Sequence, residues 1–599
     1  MPALRKGRRH GQLHIIGIYL PQEKPCEFGT PQLSQESMTL SPRVSTKKEG
    51  ALQVIALGGL GEFGMNMLLV VWKDTAILID AGSMFPDPEL PGVDLVIPDL
   101  EYLKQNVGSL TAITLTHAHE DHIGALPYIW PLLDGPLYGT PLTLALVEAK
   151  LLEHGLDASE RCVAVEPGST VEVDEMGIEF IQVTHSMPGC VAIAFHTPAG
   201  TIVNTGDFKF DHTPIDGQRA DMDRLAELGK NGVLALFGDS TNANQPGQTG
   251  SELDVVEGFE DIFARTTGKV IIAAFSSSLH RIQVIANLAV TFGRKLAFLG
   301  RRVILNTQIA ERLGCLHLPA GLEIKHSEIK NFESRHIVCV TTGSQGESRS
   351  ALSRVAETSH PHLNLEPADS VVFSARAIPG NRRAIGRVMN QLSLLGAEVI
   401  DEGPKPVHVS GHGSAEDLKL MLSLIKPRYF IPIHGEYRCL AEHAKLSNKV
   451  SDGKTDVILA QNGDVIHLAP GSGHISGKIN SGRTLLDGGS NCTIPEQVVR
   501  ERRRLAATGV VVAYIAINRR AGRVEASPNV LTRGISPDGD TSSLVRAIPE
   551  RLVAIVEEAE PAELIDSELL TERVRTELQR LFRKQVGLRP VVLPVIMEV

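Results

Sequence analysis

No apolar run approaches the length of a membrane span, which takes about 20 residues as a helix. Cysteine is scarce and unpatterned. The seven (Cys26, Cys162, Cys190, Cys315, Cys339, Cys439 and Cys492) are an odd number with no CxxC among them. That argues against a disulfide framework and suits a reducing cytoplasm. Positive charge is also short: 59 Lys and Arg against 70 Asp and Glu leave a net charge of −11. Any polyanion must therefore be met by local rather than global charge. The first fifty residues lack periodicity and are rich in Pro, Ser and Lys/Arg. Lys6 to Arg9 followed by Leu13 to Leu20 loosely mimics a signal peptide, but the apolar run is short, includes His14 and has no small-residue cleavage site. Residues 1–50 are expected to be a disordered extension, with Met38 as the natural start, since the periodic sequence begins at Leu52. What is present is 599 residues, 42% apolar, enough for three or four domains with packed cores.

The most informative segment is Thr116-His117-Ala118-His119-Glu120-Asp121-His122. It follows the apolar run Ala112 to Leu115, which reads as a buried strand. The cluster thus falls at a strand's C-terminal end, where active sites of α/β folds collect. Imidazole and carboxylate suit zinc or manganese. Further candidates end other short apolar runs: Asp80 after Ala76–Ile79, His185 after Ile178–Val183, Asp207 after Thr201–Gly206, and His434 after Tyr429–Ile433. Strand ends of one sheet converge on one edge, so the repetition carries more weight than any single residue.

This ordered series resembles the metallo-β-lactamase fold: an Asp at a strand end, HxHxDH, a later His, a later Asp and a final His. The resemblance implies that His117, His119 and His185 hold one metal. It puts Asp121, His122 and His434 on a second and makes Asp207 the bridge, with Asp80 orienting the ligands. Two ions roughly 3.5–4 Å apart lower the pKa of a water between them and clamp attacking and leaving oxygens. Phosphodiester, thioester and β-lactam hydrolysis all remain open at this point.

More than two hundred residues separate Asp207 from His434, a domain's worth of chain. Three landmarks punctuate it: Gly238-Asp239-Ser240-Thr241-Asn242, Phe275-Ser276-Ser277-Ser278-Leu279-His280-Arg281, and His408-Val409-Ser410-Gly411-His412-Gly413-Ser414 ahead of a helical stretch, Glu416 to Ile425. Ser- and Gly-rich turns before helices hold phosphate through N–H groups and hydroxyls; each alone also reads as an ordinary N-cap. Together they resemble the β-CASP insertion of nucleic-acid nucleases, with Asp239, His412 and His434 matching its motifs. The chain resembles the bacterial ribonuclease J family more closely still. Its motifs are found here at Gly58 to Asn66, Gly206 to Asp211, Asp239 to Ala243, Thr341 to Glu347, Pro379 to Asn381 and His408 to Ser414, and the terminal Leu593 to Val599 looks like that family's end.

The family resemblance implies a ribonuclease with 5′→3′ exonuclease and endonuclease activity, acting in rRNA maturation and mRNA decay. Asp239 and His412 would be the proton-transfer pair, Asp239 as donor and His412 as acceptor. Ser276, Ser277 and Ser278 with His408, Val409, Ser410, Gly411 and His412 would bind substrate, including a 5′-monophosphate. His280-Arg281, Arg301-Arg302 and Arg382-Arg383 are candidate phosphate contacts. The family often has Ser-Asn where Ser277-Ser278 stands, and an acidic residue where Arg382 stands. A structural calcium would map to the Gly92 carbonyl, Asp94 and Asp487; hard oxygen ligands suit that ion.

The expected architecture is α/β: a metallo-β-lactamase αββα sandwich (51–250 and 409–487), an inserted β-CASP α/β domain (251–408), a linker (488–500) and a small C-terminal α+β domain (501–599). In that last domain Gln497 to Ala507, Leu544 to Glu560 and Ser567 to Gln585 read as helices; Val510 to Ile517, Arg523 to Ala526 and Arg589 to Met597 read as strands. The family implies a homodimer or tetramer, other RNA-decay enzymes as partners, two zinc ions (or manganese) per subunit and a cytoplasmic location. Rival readings are a glyoxalase-like thioesterase, which would lack the insertion, a non-catalytic RNA-binding scaffold, which would have lost ligands, and a DNA-directed or purely endonucleolytic β-CASP protein.

Overall fold

The computed structural model describes residues 50–599 except 88, 379, 488–491, 519–520 and 537–538. The expected N-terminal extension, the Met38 start, Cys26 and the Gly488-Gly489-Ser490 link lie outside the described residues. The described residues divide into two compact units, one within 50–87 and 94–486, the other within 89–93 and 487–599.

The larger unit is built on two sheets. The eight-stranded sheet runs Ser472–Lys478, Asp464–Ala469, Leu52–Gly58, Met67–Trp72, Thr75–Ile79, Ala112–Thr114, Leu137–Gly139 and Cys162–Ala164. The seven-stranded sheet runs Asp456–Val457, Tyr429–Ile433, Ala235–Asp239, Gly200–Asn204, Val191–Thr197, Met176–Gln182 and Thr170–Val173. Leu52, Val54 and Ala56 join Phe180, Ile193, Phe237 and Ile431 in one buried cluster between the sheets. Ile55 and Leu57, pointing the other way, belong to the layer that includes helical Leu142 and Val147. Covered on both faces, these strands are apolar at nearly every position instead of alternating. This is the expected αββα sandwich.

The long interval forms a five-stranded sheet in the order Lys295–Leu299, Ile337–Thr341, Val270–Ala273, Ser370–Phe373 and Glu398–Ile400, every pair parallel. The central strand, Val270–Ala273, hands directly to Phe275–Ser278 and the helix Leu279–Thr291, so that turn sits at the carboxyl end of a parallel sheet, where ligands of open α/β folds bind. The chain returns to the sandwich through residues 401–413, which form neither helix nor strand. Ser414 and Asp417 then form a reciprocal cap for the helix Ala415–Ile425.

In the smaller unit, Val510–Asn518 lies between antiparallel Arg523–Arg533 and parallel Val591–Glu598. Val511, Ala513, Ile515 and Ile517 face Leu544, Ile548, Leu552, Leu578 and Phe582 in one core. The opposite face carries Tyr514, Leu531, Leu593 and Met597, all exposed. Leu593 lies opposite Val512, and Val512 opposite Leu531. The helices Glu496–Thr508, Gly539–Glu557 and Ser567–Val586 fall where periodicity placed them; the first begins within the stretch expected to be linker. The strand expected to stop at Ala526 continues to Arg533. Pro528 is tolerated within it because the strand lies at the edge of its sheet, and the ladder shifts register between Tyr514 and Ala516. Among the described residues no helix is long and apolar enough to cross a membrane.

Candidate metal centre

The expected ligands do converge. His117, His119 and His185 with Asp207 offer ligand atoms within 4.8 Å of one another; so do Asp121, His122, Asp207 and His434, and so do Asp207, Asp239, His412 and His434. Asp207 is common to all three groups. It follows the strand Gly200–Asn204, His434 follows Tyr429–Ile433, and Asp239 ends Ala235–Asp239. The last two strands pair in parallel, with Asp239 opposite Ile433, which sets His434 Nδ1 3.4 Å from Asp239 and 3.0 Å from Asp207.

The donor chemistry fits divalent cations. His117 is fully buried, and its Nε2 has no hydrogen-bond partner among the described residues. It points at Asp207 Oδ2 from 3.5 Å. An orphaned buried nitrogen is costly unless something binds it, and a cation between imidazoles and carboxylate does so. Burial holds His119 down at about 4, and holds His117 and His185 well below the ordinary imidazole range, so all three are neutral, as metal ligands must be. Burial also opposes charge on His122 and His434, but Asp207 and the other carboxylates around them outweigh it and raise both.

The ligands are held from behind. His122 Nδ1 lies 2.7 Å from Asp80 Oδ2, while Asp80 accepts from the Thr116 N–H and hydroxyl, both at 2.8 Å. That bond fixes the ring with Nε2 turned inward. Asp80 (φ +58°) and His434 (φ +54°) adopt the left-handed region that L-residues seldom visit. Gly82 is required by contact: a Cβ there would stand 1.7 Å from the Asp121 carbonyl oxygen.

His412 and Asp239 pair directly, Nδ1 to Oδ2 at 2.8 Å. Burial works against both charges, yet each stabilises the other: His412 is raised and Asp239 lies below the usual carboxylate range. The contact brings together the two residues expected to share a proton. The loop around His412 touches the His–Asp cluster itself, since His185 Nδ1 lies 2.7 Å from the Gly411 carbonyl.

Ser276, Ser277 and Ser278 are half-buried. Ser278 is the N-cap of Leu279–Thr291 without a side-chain capping bond, and the Leu279 N–H donates to the Ser277 carbonyl at 2.8 Å. Three residues among the expected phosphate contacts are otherwise engaged. Arg281 is buried against Glu252, and His280 lies 3.0 Å from Asp216. Arg302 pairs with Glu153 at 3.0 Å. Arg382 and Arg383 are exposed. The Gly92 carbonyl, expected at a calcium, accepts instead from Arg502 Nη1 at 2.9 Å.

Several residues of the site were not singled out by sequence. Asn66 Nδ2 donates to the Asp121 carbonyl at 3.1 Å and lies 3.0 Å from His122 Nε2. Thr241 donates to Asp239 at 2.7 Å and approaches His434 Nδ1 at 3.2 Å. Asn242 donates to Ser410 Oγ and the His412 carbonyl. All three lie inside motifs already quoted, and that position was the only signal.

Comparison with known proteins gives four matching family models: the metallo-beta-lactamase superfamily (60–245), the ribonuclease J beta-CASP domain (267–392), the Zn-dependent metallo-hydrolase RNA specificity domain (405–459) and the ribonuclease J C-terminal domain (497–599). The chain is similar to Ribonuclease J of Helicobacter pylori, 38% identical over 571 residues, 95% of this chain and 83% of the relative. It is 40% identical to Ribonuclease J 1 of Streptococcus pyogenes over 83% of this chain and 89% of that one. It is 36% identical to Ribonuclease J2 of Bacillus subtilis over 92% and 99%.

Proposed function

The chain belongs to the ribonuclease J family, and from that premise we propose how its site works and what it acts on. It is a metal-dependent ribonuclease. We assign His117, His119 and His185 to one ion, Asp121, His122 and His434 to a second, and Asp207 to both. The sharing of Asp207 among all three groups is the observation that carries this reading. When bound, zinc or manganese would lower the pKa of a water and offset phosphate charge.

The protein's own groups do the remainder. Asp80 keeps His122 Nε2 facing the ligand cluster. Asp239 holds His412 by Nδ1 and so leaves Nε2–H, 3.7 Å from Asp207 Oδ2, to protonate the departing oxygen of RNA. A histidine is suited to this transfer near neutral pH. Ser276 to Ser278 and His408 to His412 hold the phosphates beside the bond to be cut. A 5′-monophosphate seated there gives 5′→3′ exonuclease action, and a chain lying through without its end gives internal cuts. RNA maturation and decay in the cytoplasm are the roles that fit. Calcium at Gly92, Asp94 and Asp487 would require Arg502 to leave the Gly92 carbonyl. A homodimer or tetramer is supported by the apolar outer face at Tyr514, Leu531, Leu593 and Met597, and Leu593→Glu should shift the sedimentation coefficient to that of a smaller assembly.

The decisive experiment gives the zinc- or manganese-loaded chain RNA with 5′-monophosphate, 5′-triphosphate or 5′-hydroxyl ends, beside a matched DNA. Mononucleotides should appear from the monophosphorylated RNA and vanish with His412→Ala. Equal cleavage of DNA, or full activity in the variant, would overturn the reading.

A further inference from the structure

Four charged side chains beside the metal cluster are almost wholly buried: Lys209, Asp211, Glu252 and Arg281. Arg281 is their hub. Its Nε and Nη2 fork onto the two oxygens of Glu252 at 2.7 and 3.0 Å. Nη1 donates to Ser374 Oγ at 2.6 Å and approaches the Val407 carbonyl at 3.4 Å, and Nη2 donates to the Val409 carbonyl at 3.2 Å. Ser374 Oγ itself donates to Val407 at 2.7 Å. Glu252 N–H donates to Asp211 Oδ2 at 3.2 Å, and Lys209 Nζ lies 3.5 Å from the same carboxylate. Three segments are thereby tied together: the chain just after Asp207, the helix just after Ser276–Ser278, and residues 407–409.

We propose that Arg281 is a positioning residue that sets the path of the His408–His412 loop, and through it the seating of His412 on Asp239 and of the Gly411 carbonyl on His185. The inference rests on the reading of that loop as the RNA-holding element. Residues 401–413 have no ladder or helix to fix them, so side chains must specify their course. Arginine alone offers a planar fork that can satisfy a carboxylate and several carbonyls together. Stability does not explain the pair, since a buried ion pair is seldom worth more than apolar residues of like volume. Burial and the adjacent guanidinium hold His408 down at about 3, so His408 adds no second charge beside Arg281.

The test uses the full, metal-loaded chain. Arg281→Lys keeps a charge opposite Glu252 but loses the fork. Arg281→Met with Glu252→Leu removes both buried charges and should recover the melting temperature lost in Arg281→Met alone. Both should lower kcat on monophosphorylated RNA by about a hundred-fold, the scale of an ångström of misplacement. Both should also speed amide exchange in residues 407–413, at an assay temperature where every variant is folded. A purely structural role moves neither reading there. Parent-like kcat and exchange in the double variant would overturn the proposal. If the parent itself leaves RNA intact, the functional reading fails, and exchange alone then decides the clamp: unchanged exchange in Arg281→Lys refutes it.

Discussion

Replacing His443 by Phe should flatten the acid limb of stability. His443 lies on the helix Tyr437–Ser451, 2% exposed, with its ring 4.6 Å from Phe430. Nδ1 sits 3.0 Å from Ser240 Oγ, and Ser240 passes its own hydrogen to the Gly238 carbonyl at 3.1 Å. His443 therefore carries its proton on Nδ1. Its Nε2 has no partner among the described residues, so a second proton there would be buried unpaired. Burial accordingly pushes the imidazole down to about 3, whereas the unfolded value is about 6.5. The native state stays neutral while the unfolded chain takes up a proton. The stability due to His443 is thus full above about pH 6.5, falls as pH drops, and is gone below about 3. Between pH 6.5 and 5 the loss is about 2 kcal/mol, at about 1.4 kcal/mol per unit. Urea unfolding of parent and His443→Phe, both metal-loaded, at pH 7, 6 and 5 isolates this term, because other groups titrate alike in both. The parent should lose about 2 kcal/mol more than the variant. Parallel pH profiles would refute the assignment of a neutral, unpartnered ring.

Two further variants probe the ligands. Asp80→Ala frees the His122 ring and should weaken divalent-metal binding about 10- to 100-fold, read by competition with a chromogenic chelator; unchanged affinity would mean that Asp80 orients nothing. Gly411→Ala places a Cβ 2.6 Å from His185 Cε1, so either the loop or the ring must move, and the same chelator titration should show weaker binding with little change in melting temperature.

The ends of strands could be read from sequence because a polar residue interrupting an apolar run is visible without knowing its partners. His117, His185, Asp207 and His434 were all placed that way. Arg281 was misread because a charge in a motif carries no mark of burial. Only the fold shows Glu252 and the 407–409 carbonyls around it. The Asp239–His412 pair was visible, but not its approach to Asp207 and His434, which only the fold brings about. Asn66 and Thr241 went unremarked because amides and hydroxyls occur everywhere, and the contact that distinguishes these two joins segments remote in the chain.

The pairing of Ala235–Asp239 with Tyr429–Ile433 has a consequence for the protein's birth. A ribosome adding about 5–20 residues per second needs on the order of ten to forty seconds to pass from one strand to the other. During that delay one edge of Ala235–Asp239 has no neighbour, and an apolar strand edge left open invites pairing with another nascent chain. His412 and His434 also follow the insertion in sequence, so the cluster around Asp207 is assembled only after the inserted domain has been made.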